Sequence, residues 1–162
     1  MNKLIALCIL ALCSGVLLIA CQKEETLAAI TGQPTTCGHD GARIHASIGG
    51  SDWCASTSVI ATASDATLSA TGISLIGGTL TFSIDSMHIG TQSVTDGANS
   101  ALFVDLSGNY TISPGDPGQL VITAYDDAAH HVEGTMNVRL HLNGDGATKQ
   151  VDADFNLNYS GD

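Results

Sequence analysis

The sequence predicts an all-β domain over residues 37–162, built as an antiparallel β-sandwich or as an up-and-down (meander) β-barrel of about eight or nine strands. Apolar and polar residues alternate from about Arg43 onward, which is the pattern of half-buried strands. Gly, Pro, Asn and Asp separate these runs at the spacing of short strands. The same region lacks the 3.6-residue period that an amphipathic helix would show.

Four runs, at 44–48, 79–85, 136–142 and 151–159, carry the clearest alternation, and their apolar residues are expected to face the core. These residues are Ile44, Ala46, Ile48, Leu80, Phe82, Ile84, Met136, Val138, Leu140, Leu142, Val151, Ala153, Phe155, Leu157 and Tyr159. The run at 120–125 is almost wholly apolar, which predicts a strand that is covered on both faces or lies centrally in its sheet. Weaker patterns predict strands at 53–63, 66–73 and 101–106.

Turn residues separate these strands. Asn143-Gly144-Asp145-Gly146 tolerates positive φ angles and predicts a hairpin between the last two strong strands. The segment 114–118 contains two prolines that cannot join a hydrogen-bonded ladder, so it is expected to be a loop. Gly49-Gly50 and Gly77-Gly78 predict two further turns.

The N-terminus carries a targeting signal. Lys3 precedes an apolar run over 4–20, and Leu18-Ile19-Ala20-Cys21 ends it. These four residues resemble the lipobox of bacterial lipoproteins, which implies cleavage before Cys21 and acylation of that residue. Several acyl chains give stable membrane anchoring, so the membrane is an expected partner. The alternatives are an ordinary signal peptide or an uncleaved span, since the run is at the short end of a transmembrane length.

We therefore expect a signal peptide at 1–20, helical before its removal, and a flexible tether at 21–36. Gln22-Lys23-Glu24-Glu25 resembles the export signal that routes lipoproteins of some Gram-negative bacteria to the cell surface. The resemblance implies a lipid-anchored protein on the outer face of the outer membrane. The alternatives are the periplasmic face of that membrane and a simple charged linker.

The negative net charge of the chain argues against polyanionic partners. The chain has 16 acidic residues against 5 Lys and Arg, a net charge of -11. Nucleic acid and anionic lipid both require cationic neutralisation, so neither is expected as a ligand.

Cys37 and Cys54 remain in the mature domain and are expected to form a disulfide, because the compartment is oxidising. Closing the loop over residues 38–53 is worth about 3 kcal/mol in the chain-entropy model. The alternative is a two-thiol metal site that includes His39 or His45.

Short motifs spread over residues 41–160 carry a second resemblance. They are Gly41-Ala42-Arg43-Ile44, Trp53, Gly78-Thr79-Leu80-Thr81, Gly90-Thr91, Gly118–Asp126 and Gly134-Thr135-Met136. In these motifs the chain resembles an all-β domain family of small bacterial lipoproteins of unknown function, which implies a compact envelope domain and no particular activity. Its cysteine pair departs from that family.

The sequence contains none of the common catalytic motifs. The sequence has no Gly-x-Ser-x-Gly elbow, no His-Glu-x-x-His pattern and no glycine-rich phosphate loop, so we expect neither an enzyme nor a cofactor. Trp53 is expected to be a core aromatic residue packed on the disulfide, with ligand stacking as its alternative role.

One polar segment has metal-ligating residue types at close spacing. Carboxylates and imidazoles within a few residues can bind a divalent cation. The alternative is a solvated hairpin loop. The candidate ligands are Asp126, Asp127, His130, His131 and Glu133.

The sequence thus predicts a lipid-anchored envelope domain with a non-catalytic binding or accessory role. Its ligand is a small molecule or an envelope protein. Three specific forms stay open: a ligand-binding barrel with an interior cavity, a protein–protein interaction module of an envelope complex, and a metal-dependent enzyme that uses the loop 126–133. The interior cavity would be lined by Leu80, Phe82, Met136, Val138 and Phe155.

Overall fold

A computed structural model gives the fold of most of the predicted β domain. The residues that it describes are 37–38, 41–65, 67–75, 77–95, 99–144 and 146–161. The predicted signal peptide, Cys21, the tether and His39 lie outside them. The described residues form strands and no helix, which confirms the all-β class. Among them, no helix is long and apolar enough to cross a membrane.

The strands are β1 (Arg43–Ile48), β2 (Ser51–Cys54), β3 (Ser58–Ser64), β4 (Thr67–Ser74), β5 (Gly78–Ile84), β6 (Gly90–Val94), β7 (Ala101–Asp105), β8 (Gly108–Ile112), β9 (Gly118–Asp126), β10 (His131–Leu142), β11 (Thr148–Asn158) and β12 (Ser160–Gly161). They outnumber the predicted eight or nine for a physical reason. The short strands β6 and β8 bury only two side chains each, so their alternation is too brief to detect in sequence. The predicted strand 53–63 is in fact the end of β2 followed by β3.

All twelve strands belong to one curled sheet, whose main path runs β12-β3-β4-β5-β7-β8-β10-β11-β1-β2. β12 follows β11 in the chain, yet it pairs in parallel with β3 at the far edge of that path. The curl therefore brings β3 close to the end of β11, and the sheet forms a half-barrel.

The strand order departs from a plain meander at β10. Its first half pairs with β9 through His131–Asn137, and its last residues, Leu140–Leu142, pair with β8. β9 pairs on its other side with β6, so β6 and β9 form a branch of the sheet. β9 therefore has a paired strand on each side, which agrees with the expectation that the strand at 120–125 lies centrally in its sheet. It is covered on one face only, because Leu120 and Ile122 are buried while Thr123 is exposed.

The concave face of the sheet holds a single apolar core. Every inward residue predicted from the alternation is buried there except Leu142, which is half-buried at the end of β10. The Phe82 and Phe155 rings meet at a centroid distance of 5.1 Å. The five side chains expected around an interior cavity all belong to this core. The cavities described below lie at the ends of the strands and are lined by other residues.

The predicted turns are in place. The β10–β11 hairpin is closed at Asn143–Gly146 by a 2.9 Å hydrogen bond from the Leu142 N–H to the Ala147 carbonyl. Gly49 and Gly50 join β1 to β2 with φ angles of 59° and 82°, a pair that two side-chain-bearing residues would rarely adopt. The loop at 114–117 connects β8 to β9.

Candidate functional site

The β9–β10 hairpin distributes the five predicted metal ligands over separate positions. His131 and Glu133 lie on the outer face of β10, where His131 Nε2 is 3.0 Å from Glu133 Oε1. Asn158 Oδ1 lies 3.0 Å from His131 Nδ1, and Asn156 Nδ2 donates to Glu133 Oε1 at 2.7 Å. These two candidate ligands are therefore engaged by each other and by β11.

The other three candidates lie in the turn. Asp126 Oδ1 accepts the Ala129 N–H at 3.0 Å, so this carboxylate caps the turn itself. Asp127 and His130 face Tyr159 instead. Within the part of the chain that the structure describes, no group of three or more His, Cys, Asp or Glu side chains is placed to hold a metal ion.

Asp127 and His130 line a cavity of about 360 Å³ at the end of the half-barrel, which we call the hairpin pocket. The Tyr125 and Tyr159 hydroxyls both donate to Asp127 Oδ1, at 3.1 and 3.3 Å. The His130 ring stacks on the Tyr159 ring with a centroid distance of 5.3 Å and an interplanar angle of 5°. The pocket thus presents a fixed carboxylate between two phenols. Its described lining is Ala63, Ser64, Asp65, Met87, Tyr125, Asp127, His130, Tyr159 and Gly161.

The hairpin pocket is acidic. Its described lining contains two carboxylates, from Asp65 and Asp127, and neither lysine nor arginine. Burial raises the pKa of Tyr159 well above its usual value, and the neighbouring Tyr125 and Asp127 raise it further. The Tyr159 hydroxyl therefore stays protonated and remains a hydrogen-bond donor to the carboxylate.

Two lining residues have an uncommon backbone conformation. Asp65 and His130 have φ angles of 50° and 51°, in the left-handed region that residues other than glycine seldom occupy. Both sit in turns, one after β3 and one before β10, and both contribute to the same cavity. The two turns that border the pocket are thus held in specific conformations.

The sequence suggests Asp127 and His130 as candidate metal ligands, and it does not indicate their aromatic partners in this pocket. Tyr159 was assigned to the core from its alternation, and it is buried. Its hydroxyl nevertheless reaches the turn, because the Tyr159 N–H bonds the His130 carbonyl at 2.9 Å. Extending the β10–β11 pairing back from its predicted turn would have placed Tyr159 next to His130. Met87 and Asp65 gave no comparable signal.

Cys37 and Cys54 are joined by a disulfide with a Cα–Cα distance of 5.2 Å. Strand alternation on β2 places the Trp53 indole on the inner face and Cys54 on the outer face, which differs from the expected contact between them. Trp53 is a core residue, only 4% exposed.

His45 lies opposite Cys54 on the outer face of β1 and contacts carboxylates. Its Nε2 is 2.7 Å from Asp52 Oδ1, and its Nδ1 is 3.1 Å from Asp154 Oδ1. Arg43 also pairs with Asp154, at 2.7 Å. Hydrogen bonds to Asp52 and then to Asp154 raise the pKa of His45, because only the imidazolium can donate from both nitrogens.

Two raised histidine pKa values predict the pH dependence of stability. Hydrogen bonding to Glu133 raises the pKa of His131, as Asp52 raises that of His45. A pKa that is higher in the folded state stabilises the fold fully below the unfolded value, about 6.5, and this stabilisation is lost as the pH rises through the folded pKa. We therefore expect the melting temperature to fall as the pH rises from about 6.5 through the raised folded-state pKa values of His45 and His131.

The measurement is thermal unfolding followed by circular dichroism across this pH range. The double variant His45→Gln/His131→Gln should show a flatter dependence than the wild type. His88→Gln is the matched control, because among the described residues the His88 imidazole contacts Ser86 and Gln92 and no carboxylate. Equal slopes in the wild type and the double variant would contradict the assignment.

No family model, curated protein or solved structure matches this chain. The resemblance to the lipoprotein domain family therefore stays a prediction.

Proposed function

We propose that the protein is a lipid-anchored domain of the outer membrane, exposed on the cell surface, that binds a small organic cation in the hairpin pocket and has no catalytic role. The observation that carries the proposal is the arrangement of Tyr125 and Tyr159 around one oxygen of Asp127 in an acidic cavity. The lipobox at Leu18–Cys21 and the residues that follow it support the anchoring and the location.

The chemistry of the pocket favours an ammonium group. A carboxylate supplies the opposite charge, and the faces of tyrosine rings attract cations through their quadrupoles. The two phenol donors hold Asp127 Oδ1 in place, so the carboxylate is oriented before a ligand arrives. The volume of about 360 Å³ lies within the range of small-molecule sites.

The charge of the whole chain supports the same class of ligand. A net charge of -11 attracts cations toward the surface and repels anions. It also makes nucleic acid an unfavourable partner. The proposed partners are therefore the membrane, through the acyl chains on Cys21, and a cationic small molecule.

The proposal is tested by calorimetric titration of the full chain in phosphatidylcholine vesicles with choline and with spermidine. At least one should bind saturably, and Asp127→Asn should weaken that binding by about tenfold or more, because a partly desolvated charge pair is lost. Asp152→Asn is the matched control, since it removes the same charge from an exposed position on β11. Its affinity should equal that of the wild type.

The uncharged carbon isostere of choline provides the second comparison. It has the same shape as choline without the positive charge, so it should bind at least about tenfold more weakly. The proposal fails if neither cation binds, or if the isostere binds as tightly as choline. In that event a role as a protein-interaction module of an envelope complex becomes the better proposal.

A further inference from the structure

The opposite end of the half-barrel holds two adjoining cavities that the proposed function does not use. The larger, about 670 Å³, lies between the residues that follow β4 and those that follow β7. The smaller, about 170 Å³, reaches inward to Trp53 and Lys149. Gly77 and Asp105 line both cavities, so the two form one groove that leads from solvent to the core. We call this groove the tip groove.

The inner end of the tip groove contains a buried hydrogen-bond donor with no acceptor. Trp53 Nε1 is inaccessible to solvent, and it is the one buried side-chain nitrogen or oxygen among the described residues that lacks a protein partner. A Cβ atom on Gly77 would lie 3.1 Å from Trp53 Nε1, so Nε1 lies beside Gly77, which lines both cavities. Leaving a buried donor unpaired is unfavourable, so an acceptor from outside the protein would stabilise this position.

The only lysine of the described residues, Lys149, is fixed in the same place. Its Nζ is 3.1 Å from Asp105 Oδ2 and lies 4.9 Å from the centroid of the Tyr110 ring. Burial alone would raise the pKa of Asp105, but hydrogen bonds from Ser107 and Lys149 outweigh it and lower the pKa. Lys149 and Asp105 therefore balance each other's charge, and Asp52, the other carboxylate that lines the smaller cavity, is engaged by His45 Nε2 at 2.7 Å. An anion would meet Asp105, and a cation would meet Lys149, so a charged ligand gains little here.

The outer end of the tip groove is apolar. Leu75 is 71% exposed and Leu106 is fully exposed, and both line the larger cavity. Two large aliphatic side chains at neighbouring turns are unfavourable in water unless something covers them. A hydrocarbon chain would cover both leucines while its polar head enters the inner cavity.

We propose that the tip groove binds an uncharged single-chain amphiphile whose head carries a carbonyl group, such as an acyl ester. The carbonyl oxygen would accept the Trp53 N–H after a small shift of the Gly77 turn that lies against it, and the tail would lie on Leu75 and Leu106. Only an uncharged head suits the balanced Lys149–Asp105 pair.

Trp53 makes the test direct, because it is the only tryptophan of the chain. The full chain, carried on phosphatidylcholine vesicles, is titrated with monodecanoylglycerol while tryptophan emission is recorded. Decanoate, decyltrimethylammonium and glycerol are titrated in parallel. We expect a saturable change in emission with monodecanoylglycerol, at least about tenfold weaker binding of the two charged probes, and no response to glycerol.

A pair of variants distinguishes binding in the tip groove from partitioning of the amphiphile into the bilayer. Leu75→Ser/Leu106→Ser should weaken the binding of monodecanoylglycerol by about tenfold or more. Ile60→Ser/Ile89→Ser is the matched control, because these isoleucines are also exposed, at 55% and 64%, and line neither cavity of the groove. Circular dichroism confirms that both variants fold. The proposal is overturned if monodecanoylglycerol gives no saturable response, if a charged probe binds as tightly, or if both variants lose affinity equally.

Discussion

Replacing Phe155 with alanine should lower the free energy of unfolding by about 3–5 kcal/mol. Phe155 is 2% exposed and lies in the middle of β11, with its ring 5.1 Å from that of Phe82. Removing it costs the transfer free energy of the ring and leaves a cavity, because β10 and β1 hold β11 from both sides. Domains of this size have only about 5–15 kcal/mol of net stability, so the variant should lose a large fraction of it.

Urea denaturation followed by circular dichroism measures this change. Phe155→Leu should cost less, because it keeps most of the apolar volume. Leu106→Ala is the exposed control and should change stability by less than about 0.5 kcal/mol. A loss below about 1 kcal/mol for Phe155→Ala would contradict the packing described for the core.

A double variant tests whether a glycine is needed at position 134 because the Phe155 ring packs against it. A Cβ atom on Gly134 would lie 2.6 Å from Phe155 Cζ and closer still to the backbone carbonyl oxygen of Val121, so Gly134→Ala should be destabilising in the wild type. In the Phe155→Ala background the collision with the ring is absent and the one with the Val121 carbonyl remains, so Gly134→Ala should cost less there than in the wild type but should still be destabilising. This non-additivity distinguishes a steric role of Gly134 from a purely conformational one.

Gly134 also shows where sequence reasoning ends. The inward positions of β10 and β11 follow from alternation, because side-chain direction in a strand is a local property. At Glu133/Gly134 the register between β9 and β10 shifts, and a glycine inside a strand indicates such an irregularity without giving the pairing that results. The parallel pairing of Ser160 with Thr62 likewise depends on residues far apart in the chain. Local patterns therefore predicted the class and the core, but neither the branch at β10 nor the closure through β12.

The residues of the two candidate sites also differ in whether the sequence indicates them. Asp127 and His130 could be identified because polar residues cluster in one short segment. Trp53 and Lys149 are far apart in sequence, and each alone resembles an ordinary core or surface residue. The adjacent positions of β11, β1 and β2 in the sheet bring these two residues near each other, and the curl adds Gly77 and Asp105 to the same cavity. A site that is built from several strands of a half-barrel is therefore difficult to predict from a single sequence.

Removing the disulfide should lower the free energy of unfolding by about 3 kcal/mol. The bond links Cys37, ahead of β1, to Cys54 at the end of β2, a separation of 17 residues. Within the chain-entropy model, its loss frees the intervening loop in the unfolded state. The double variant Cys37→Ser/Cys54→Ser and the reduced wild type should have the same stability in urea. The oxidised wild type should exceed both.

The position of β2 predicts a local effect in addition to the global one. β2 ends the main path of the sheet and pairs only with β1 among the described strands, so its far edge has no ladder to hold it. Without the disulfide, β2 should fray before the rest of the sheet, and it carries Trp53. Reduction should therefore shift tryptophan emission to longer wavelength at urea concentrations where circular dichroism is still native. Coincident transitions by the two probes would show that β1 alone holds the strand, and a loss below about 1 kcal/mol would show that the crosslink does not stabilise the domain.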